Sequence, residues 1–257
     1  MVNLKRMLHA VCWLVALGTS ALSAQAVPST SDVIKRARAT LGSEKALDGV
    51  VTLRMLGTLD PVDPKVPDAT VLIIARRPCS QRLEIRVDDL VETTILKGRK
   101  ASIIRSNLKE EASQMRDLTD VELQRLRYNT RQIFNFYRPD FKCGEKATHE
   151  GMVTHREKRA HKIRYKHPEG SETVRYFSVE DDTLVASVSD DGVESVNRGE
   201  QVVQGIKYPQ SIEYYEDGRM LHTIYLNEIS VNQPLADGIF DVPAAAINEL
   251  GRQQVLP

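Results

Sequence analysis

Thr173–Gly192 reads TVRYFSVEDDTLVASVSDDG, and Ile212–Val231 reads IEYYEDGRMLHTIYLNEISV. Both are short β-forming runs punctuated by turn residues. Thr173–Val179 ends at Glu180-Asp181-Asp182, Leu184–Val188 ends at Ser189-Asp190-Asp191-Gly192, and Ile212–Tyr215 ends at Glu216-Asp217-Gly218. Between the two quoted stretches, Val193–Val203 reads as one more strand before Gly205 and Pro209. Short strands joined by Asp/Gly turns make an antiparallel meander. In the last run Met220, Ile224 and Leu226 fall on one side and Thr223, Tyr225 and Asn227 on the other, the period-two pattern of a sheet with two unlike faces.

The pattern extends upstream. Val50–Leu59, Thr70–Arg76, Arg82–Asp88, Val91–Leu96 and Ala101–Arg105 read as strands, with Thr148–Thr154 and Arg159–His167 further on. Arg82–Asp88 alternates cleanly, Leu83, Ile85 and Val87 on one face and charged residues on the other, so this sheet has one dry face. Asp60–Asp68 contains Pro61, Pro64 and Pro67 and reads as a long connection; Asn107–Arg116 is polar and reads as a loop.

Two helices interrupt the strands. Val27–Leu41 opens with Pro28-Ser29-Thr30-Ser31-Asp32, a helix-start composition, places Val33, Ile34, Ala37 and Leu41 on one face, and stops at Gly42. Thr119-Asp120-Val121-Glu122 is a capping box, followed by Leu123, Leu126, Thr130, Ile133, Phe134 and Tyr137 at helical spacing, with Pro139 as the stop. Two amphipathic helices cannot cover both faces of so large a sheet. They are expected together on the concave face of one curved, incomplete antiparallel β-barrel of about 11 strands, the architecture in which a cavity forms between sheet and helices.

The first 26 residues read as a secretory signal peptide: Lys5 and Arg6, an apolar run from Met7 to Gly18, and the small-x-small site Ala24-Gln25-Ala26. The expectation is an exported, periplasmic protein cleaved after Ala26, with 27–257 as a single domain. The leader carries away Lys5, Arg6 and no acidic residue, which leaves a net charge of −2. Such a balance argues against nucleic acid as a partner. Cys79 and Cys143 remain; in an oxidising compartment they either pair or pack as small apolar residues.

Little in the chain asks for catalysis. It has no G-x-S-x-G, no P-loop and no Gly-rich dinucleotide turn, and its acidic pairs sit in turns. His149, His155, His161 and His167 recur every six residues. Arg156-Glu157-Lys158 turns the chain among them, no metal-ligand spacing such as H-x-x-x-H occurs, and they read as solvent-facing strand histidines. No cofactor, metal or catalytic residue is expected. Arg76-Arg77, ahead of Pro78, marks a strand end where a guanidinium either faces solvent or holds a lid by its carbonyl oxygens.

Taken in order, several features resemble the periplasmic lipoprotein carriers of the LolA-like superfamily. They are the first helix, the strand ending in Arg76-Arg77-Pro78, the Lys97-Gly98-Arg99 hairpin and the mid-chain helix. The ending Gly205-Ile206-Lys207-Tyr208-Pro209, Val231-Asn232-Gln233-Pro234-Leu235, Phe240 and Pro243 completes the match. The resemblance spans the mature chain. It implies a half-barrel plugged by helices, a cargo of acylated lipoprotein or lipid moved between membranes, and membrane-anchored donor and acceptor proteins as partners. It also implies a lid arginine at Arg77, with Arg76 as its neighbour. The lining of such a cavity would include Leu83, Ile85, Val87, Leu126, Ile133 and Phe134, the same residues that would otherwise form a packed core. The chain departs from the carriers at Ala101-Ser102-Ile103-Ile104, where they place aromatics, and is longer at Asp60–Asp68 and Asn107–Arg116. The superfamily also holds envelope sensors, so a protein-binding module on the same fold is the alternative.

Overall fold

The computed structural model describes residues 28–168 and 170–242. The expected leader and the last residues, from Pro243 onward, lie outside them. A helix α1 (Thr30–Leu41) and a short α2 (Glu44–Asp48) precede six strands: β1 (Thr52–Pro61), β2 (Ala69–Arg76), β3 (Ser80–Val87), β4 (Leu90–Lys97), β5 (Lys100–Asn107) and β6 (Ala112–Asp117). Helix α3 (Asp120–Asn135) and a 3-10 turn (Phe141–Cys143) lead into β7 (Lys146–His155), β8 (Lys158–Lys166), β9 (Glu172–Ser178), β10 (Leu184–Ser189) and β11 (Glu194–Arg198). The chain then forms β12 (Gln201–Val203), β13 (Ile206–Tyr208), β14 (Ser211–Glu216) and β15 (Arg219–Val231).

Thirteen strands form one antiparallel sheet in the order β6-β5-β4-β3-β2-β1-β15-β14-β11-β10-β9-β8-β7, while β12 and β13 pair by themselves. The sheet is curved and open; its edges are β6 and β7. The strand count is fifteen among the described residues rather than about 11. Two misread segments account for most of the difference. Ala112–Asp117 is a strand and not a loop: as an edge strand, largely exposed, it needs no apolar face. Val193–Val203 is not one strand, because the chain breaks at Gly199 (φ 64) and folds β12 onto β13 through Gln204 (φ 50) and Gly205 (φ 76).

The register locates the faces. β1 joins the two halves of the sheet through β15, and a bulge between Leu56 and Gly57 moves the inward phase of β15 from Leu226 to Ile229 and Val231. Gly57 is obligatory there, since a Cβ would stand 2.3 Å from the Tyr225 carbonyl oxygen. On the inner face α1 lays Val33, Ile34 and Ala37 against Ile163, Tyr165 and Phe177 of β8 and β9. Farther along that face, Leu47, Val50, Leu53, Ala75, Phe134, Ile206, Tyr208 and Val231 form the largest core cluster. The outer face of β2–β5 is covered by the segment after β15: Phe240 is buried beneath Arg76, and Val242 packs on Ile95 and Ile104. Asn232 starts this strap, its side chain accepting from the Val51 and Thr52 amides and donating to the Gly49 carbonyl. No helix among the described residues is long and apolar enough to cross a membrane.

Candidate functional site

Helix α3 lies between the two halves of the sheet on its inner face, and its two ends are held differently. At the start, the Thr119 hydroxyl accepts from the Glu122 amide and the Glu122 carboxylate accepts from the Thr119 amide, the capping box that satisfies two otherwise free donors. Arg116 adds a two-point ion pair to Glu122, whose pKa falls to about 2. At the other end the helix stops at Asn135, ahead of the Pro139 expected to end it, because Phe136 (φ 44) and Tyr137 (φ 70) turn left-handed.

The last carbonyls of a helix have no partner within it. Here four consecutive carbonyls, the last two of the helix and the two that follow it, are met by side chains from elsewhere. Arg77 Nη2 donates to Phe134 O (2.8 Å), Arg38 Nη1 to Asn135 O (2.6 Å) and Phe136 O (2.9 Å), and the Tyr165 hydroxyl to Tyr137 O (2.8 Å). No basic residue occupies α3's own last turn, so Arg77 and Arg38 supply the positive charge that the helix dipole favours there. Arg77 also donates Nε to Val50 O (2.7 Å) and rests on the Phe134 ring. Burial pulls its guanidinium below the ordinary value, opposed by the Asp48 carboxylate, yet an arginine stays charged. Arg38, with a side chain only 3% exposed, forks onto Glu44 and reaches Asp48, both also held by Arg138. The sequence reading placed nothing on Arg38. Arg76 points to the outer face, over Phe240, and makes none of these bonds to the end of α3.

The six expected lining residues lie on the inner face but do not share one cavity. Leu83, Ile85 and Val87 follow the phase of Gln81, which accepts from Thr130 of α3 (2.8 Å). Leu126 packs with Cys79, Leu96 and Ala101. Phe134 is buried in the main core cluster, and Ile133, partly buried, packs against it. Of the six, Ile85 and Val87 line a groove of about 540 Å³, with Pro67 and Leu90, toward the end of β3–β6 away from Arg77.

A larger cavity, about 670 Å³, opens where the sheet splits. β10 and β11 pair only at Ser187–Ser195 and Val188–Glu194, whereas each has five pairs with its other neighbour. In the gap, Leu184 and Val185 face Val196, and Leu41, Tyr137 and Tyr208 form a floor reaching the core. Burial pushes the Tyr137 phenol up to about 12 and raises the Tyr208 phenol as well, and among the described residues the Tyr208 hydroxyl has no hydrogen-bond partner. The rim is charged: Arg156 pairs with Glu194, Arg198 with Glu213 and Lys207 with Glu200. A volume of this size lies within the roughly 300–1,000 Å³ typical of small-ligand sites.

The histidines depart from expectation. His161 and His167 are buried on the inner face rather than solvent-facing. A bulge between His149 and Met152 changes the phase of β7, so that His149 meets His161 (3.2 Å) while His155 pairs with Glu194 (2.6 Å) and stacks on Tyr176. His167 stacks on Tyr128 and bonds Thr173 (3.1 Å); burial holds its pKa down to about 4. Its Nδ1 stands 3.9 Å from Glu145, a buried carboxylate whose pKa burial raises and which accepts from Gln132 and the Asp140 amide. Arg175 completes this cluster, bonding Gln132 and lying over the Tyr165 and Tyr137 rings. Among the described residues no group of three or more His, Cys, Asp or Glu could hold a metal ion.

The bridge between Cys79 and Cys143 is absent; both are free. Cys79 is buried against the Leu123–Leu126 stripe of α3, whereas Cys143 is exposed and shares a pocket with Gln124, Arg127 and Arg131 from another stripe of that helix. The helix stands between them.

No family model and no curated protein matches the chain. Solved structures do. A DUF1329 family protein from Desulfovibrio piger superposes with a TM-score of 0.56 at 8% identity, over 84% of this chain and 98% of that one. A LolA superfamily protein from Nitrosomonas europaea gives 0.54 at 10%, over 83% and 98%. An outer membrane lipoprotein-sorting protein domain from Vibrio parahaemolyticus gives 0.53 at 5%, over 82% and 97%. The chain has a LolA-like fold.

Proposed function

We propose that this protein is a carrier or chaperone that binds acyl chains of lipoproteins or lipids and moves them between membranes. What carries the reading is two open cavities with apolar residues in their linings, together with a helix on the inner sheet face whose exit is held by breakable hydrogen bonds. The fold it shares with a lipoprotein-sorting domain and a LolA superfamily protein supports it. The driving force is burial of methylenes, each worth about 0.8 kcal/mol. In this reading α3 is the lid, Arg77 its latch, and the cavity at the β10–β11 split and the Ile85–Val87 groove are where chain enters the interior. Leu83, Leu126, Ile133 and Phe134 join the lining when α3 lifts. The role is binding and not catalysis, and it is exercised in the periplasm by residues 27–257 after the leader 1–26 is cleaved at Ala26. Membrane-anchored donor and acceptor proteins hand over the cargo.

A second reading, a protein-binding module of the envelope, has one observation in its favour. Val62 and Val66, in the connection after β1, and Leu108, after β5, are about half exposed and present apolar surface to solvent. The experiment is native mass spectrometry of protein purified from its own envelope without detergent, paired with transfer of an acylated peptide between vesicles. The carrier reading expects an acyl-bearing ligand and transfer above the uncatalysed rate. A folded protein with neither, recovered with a membrane regulator, would replace it with the second reading.

A further inference from the structure

Helix α3 carries three arginines, and they are not in equivalent surroundings. Arg125 is paired with Asp190 at 2.8 and 3.0 Å. Arg131 Nε comes within 3.8 Å of Asp140, too far for a hydrogen bond. Arg127 has no ion pair among the described residues, though its side chain is half-buried. Among the described residues the Nε atoms of Arg127 and Arg131, both buried, have no hydrogen-bond partner. They line one pocket, about 360 Å³, together with Gln124, Cys143 and Pro168.

Buried donors without partners are uncommon, and each one asks what would satisfy it. Two like charges four residues apart on a helix also repel. The neighbouring acids do not resolve this. Asp140 is occupied by the Cys143 amide and Glu145 by Gln132 and the Asp140 amide. Burial favours the neutral form of Glu145, and Asp140 keeps the Cys143 thiol protonated. Asp140 offsets part of the Arg131 charge, but the charge of Arg127 and the donors of both arginines remain, with Gln124 adding an amide one turn earlier on the same stripe.

We infer that this pocket binds a phosphate group. One guanidinium fork saturates a planar carboxylate. Two forks from successive turns, with an amide beside them, offer donors in several directions and suit a tetrahedral group with oxygens on all sides. The site lies on a stripe of α3 other than the one packed on the sheet, so it goes beyond the carrier reading and stands without it. The phosphate is either free in solution or the diester of a lipid headgroup.

Cys143 is the reporter. Its alkylation by N-ethylmaleimide, a neutral reagent, is followed in the full-length mature protein with inorganic phosphate, with glycerophosphoglycerol, or with sodium chloride at matched ionic strength. Phosphate binding is measured in parallel by calorimetry. Protection by inorganic phosphate alone identifies a free-phosphate site; protection by the diester identifies a headgroup site. Either supports the inference if Arg127→Gln and Arg131→Gln weaken binding at least tenfold while Arg125→Gln does not. Arg127→Lys keeps the charge without the fork and should recover only part of the loss, and circular dichroism verifies that each variant is folded. Neither protection nor a heat of binding, or binding undiminished in Arg127→Gln and Arg131→Gln, overturns it.

Discussion

Arg77→Leu should loosen α3 while leaving the sheet folded. The arginine contributes two charge-assisted bonds to main-chain oxygens, Val50 O at 2.7 Å and Phe134 O at 2.8 Å. Such bonds are worth about 1.5–3 kcal/mol each. The side chain is half-buried, so water recovers part of the loss, and leucine keeps the contact with the Phe134 ring. A net cost of about 2–4 kcal/mol follows, which at about 1.4 kcal/mol per tenfold raises the open population roughly 30- to 700-fold. Two main-chain bonds from Arg38 and one from Tyr165 remain, so the helix stays docked in most molecules. Native-state hydrogen exchange reads the result directly: amides in the last turns of α3 should exchange faster by that factor, while those of β8 and β9 beneath α1 should change little. Arg77→Lys should lie between, because an ammonium lacks the planar fork. Arg38→Leu is the contrast. It removes a fully buried guanidinium, strands the Asn135 and Phe136 carbonyls and leaves Glu44 and Asp48 to Arg138 alone, so global stability should fall by about 3–5 kcal/mol. If Arg77→Leu lowers stability evenly across the chain with no excess at α3, or if acylated-peptide transfer equals that of the wild type, Arg77 is a structural tie and the latch is refuted.

Two further outcomes are expected. In native protein without reductant, Cys143 should react with a thiol reagent within minutes and Cys79 only on unfolding; a disulfide-linked peptide joining Cys79 and Cys143 in a non-reducing digest would restore the bridge. His167, held at about 4 in the fold against an ordinary 6.5, binds a proton more readily when unfolded, so its contribution is whole above pH 6.5 and lost as pH falls towards 4. The groups facing it are the Tyr128 ring, Thr173, Glu145, Arg175 and Arg131; Glu145, whose pKa is raised, works in the opposite sense. His167→Gln should therefore remove about 3 kcal/mol of acid sensitivity between pH 6.5 and 4 in urea denaturation. An unchanged slope in that window would show that His167 is not the group responsible.

The fold was legible where local chemistry and burial agree. Alternation in β3, the capping box of α3 and the turns at Asp217-Gly218 and Asp191-Gly192 each state a backbone conformation in adjacent residues, whereas in β15 irregularities near Leu221 and Asn227 break the alternation, so that Met220 and Ile224 face opposite sides and Thr223 is buried. β6 escaped because an edge strand does not need an apolar face. β12 and β13 escaped because three residues are too few to show an alternation of faces. His161 and His167 looked like surface residues because His is neither clearly polar nor apolar, and because the helices that bury them are elsewhere in the chain.

The latch shows a limit of another kind. Arg76 and Arg77 differ by one residue, and strand phase alone separates them. Arg76 continues the outward phase of Leu72 and Ile74, and Arg77, beyond the strand end, turns inward. Its neighbour in function, Arg38, reads as an ordinary cation on an amphipathic helix, yet its side chain reaches carbonyls 97 and 98 residues away. The acceptors explain why no pattern betrays this. Every residue carries a carbonyl, so the targets at Phe134, Asn135 and Phe136 have no signature of their own. What makes them special is that a helix ends there inside the protein. The identity of a latch arginine is therefore set by where the helix stops. That point moved from Pro139 back to Asn135 because Phe136 and Tyr137 adopt left-handed backbone, a choice stabilised by the guanidinium and phenol groups that bond the carbonyls of that turn.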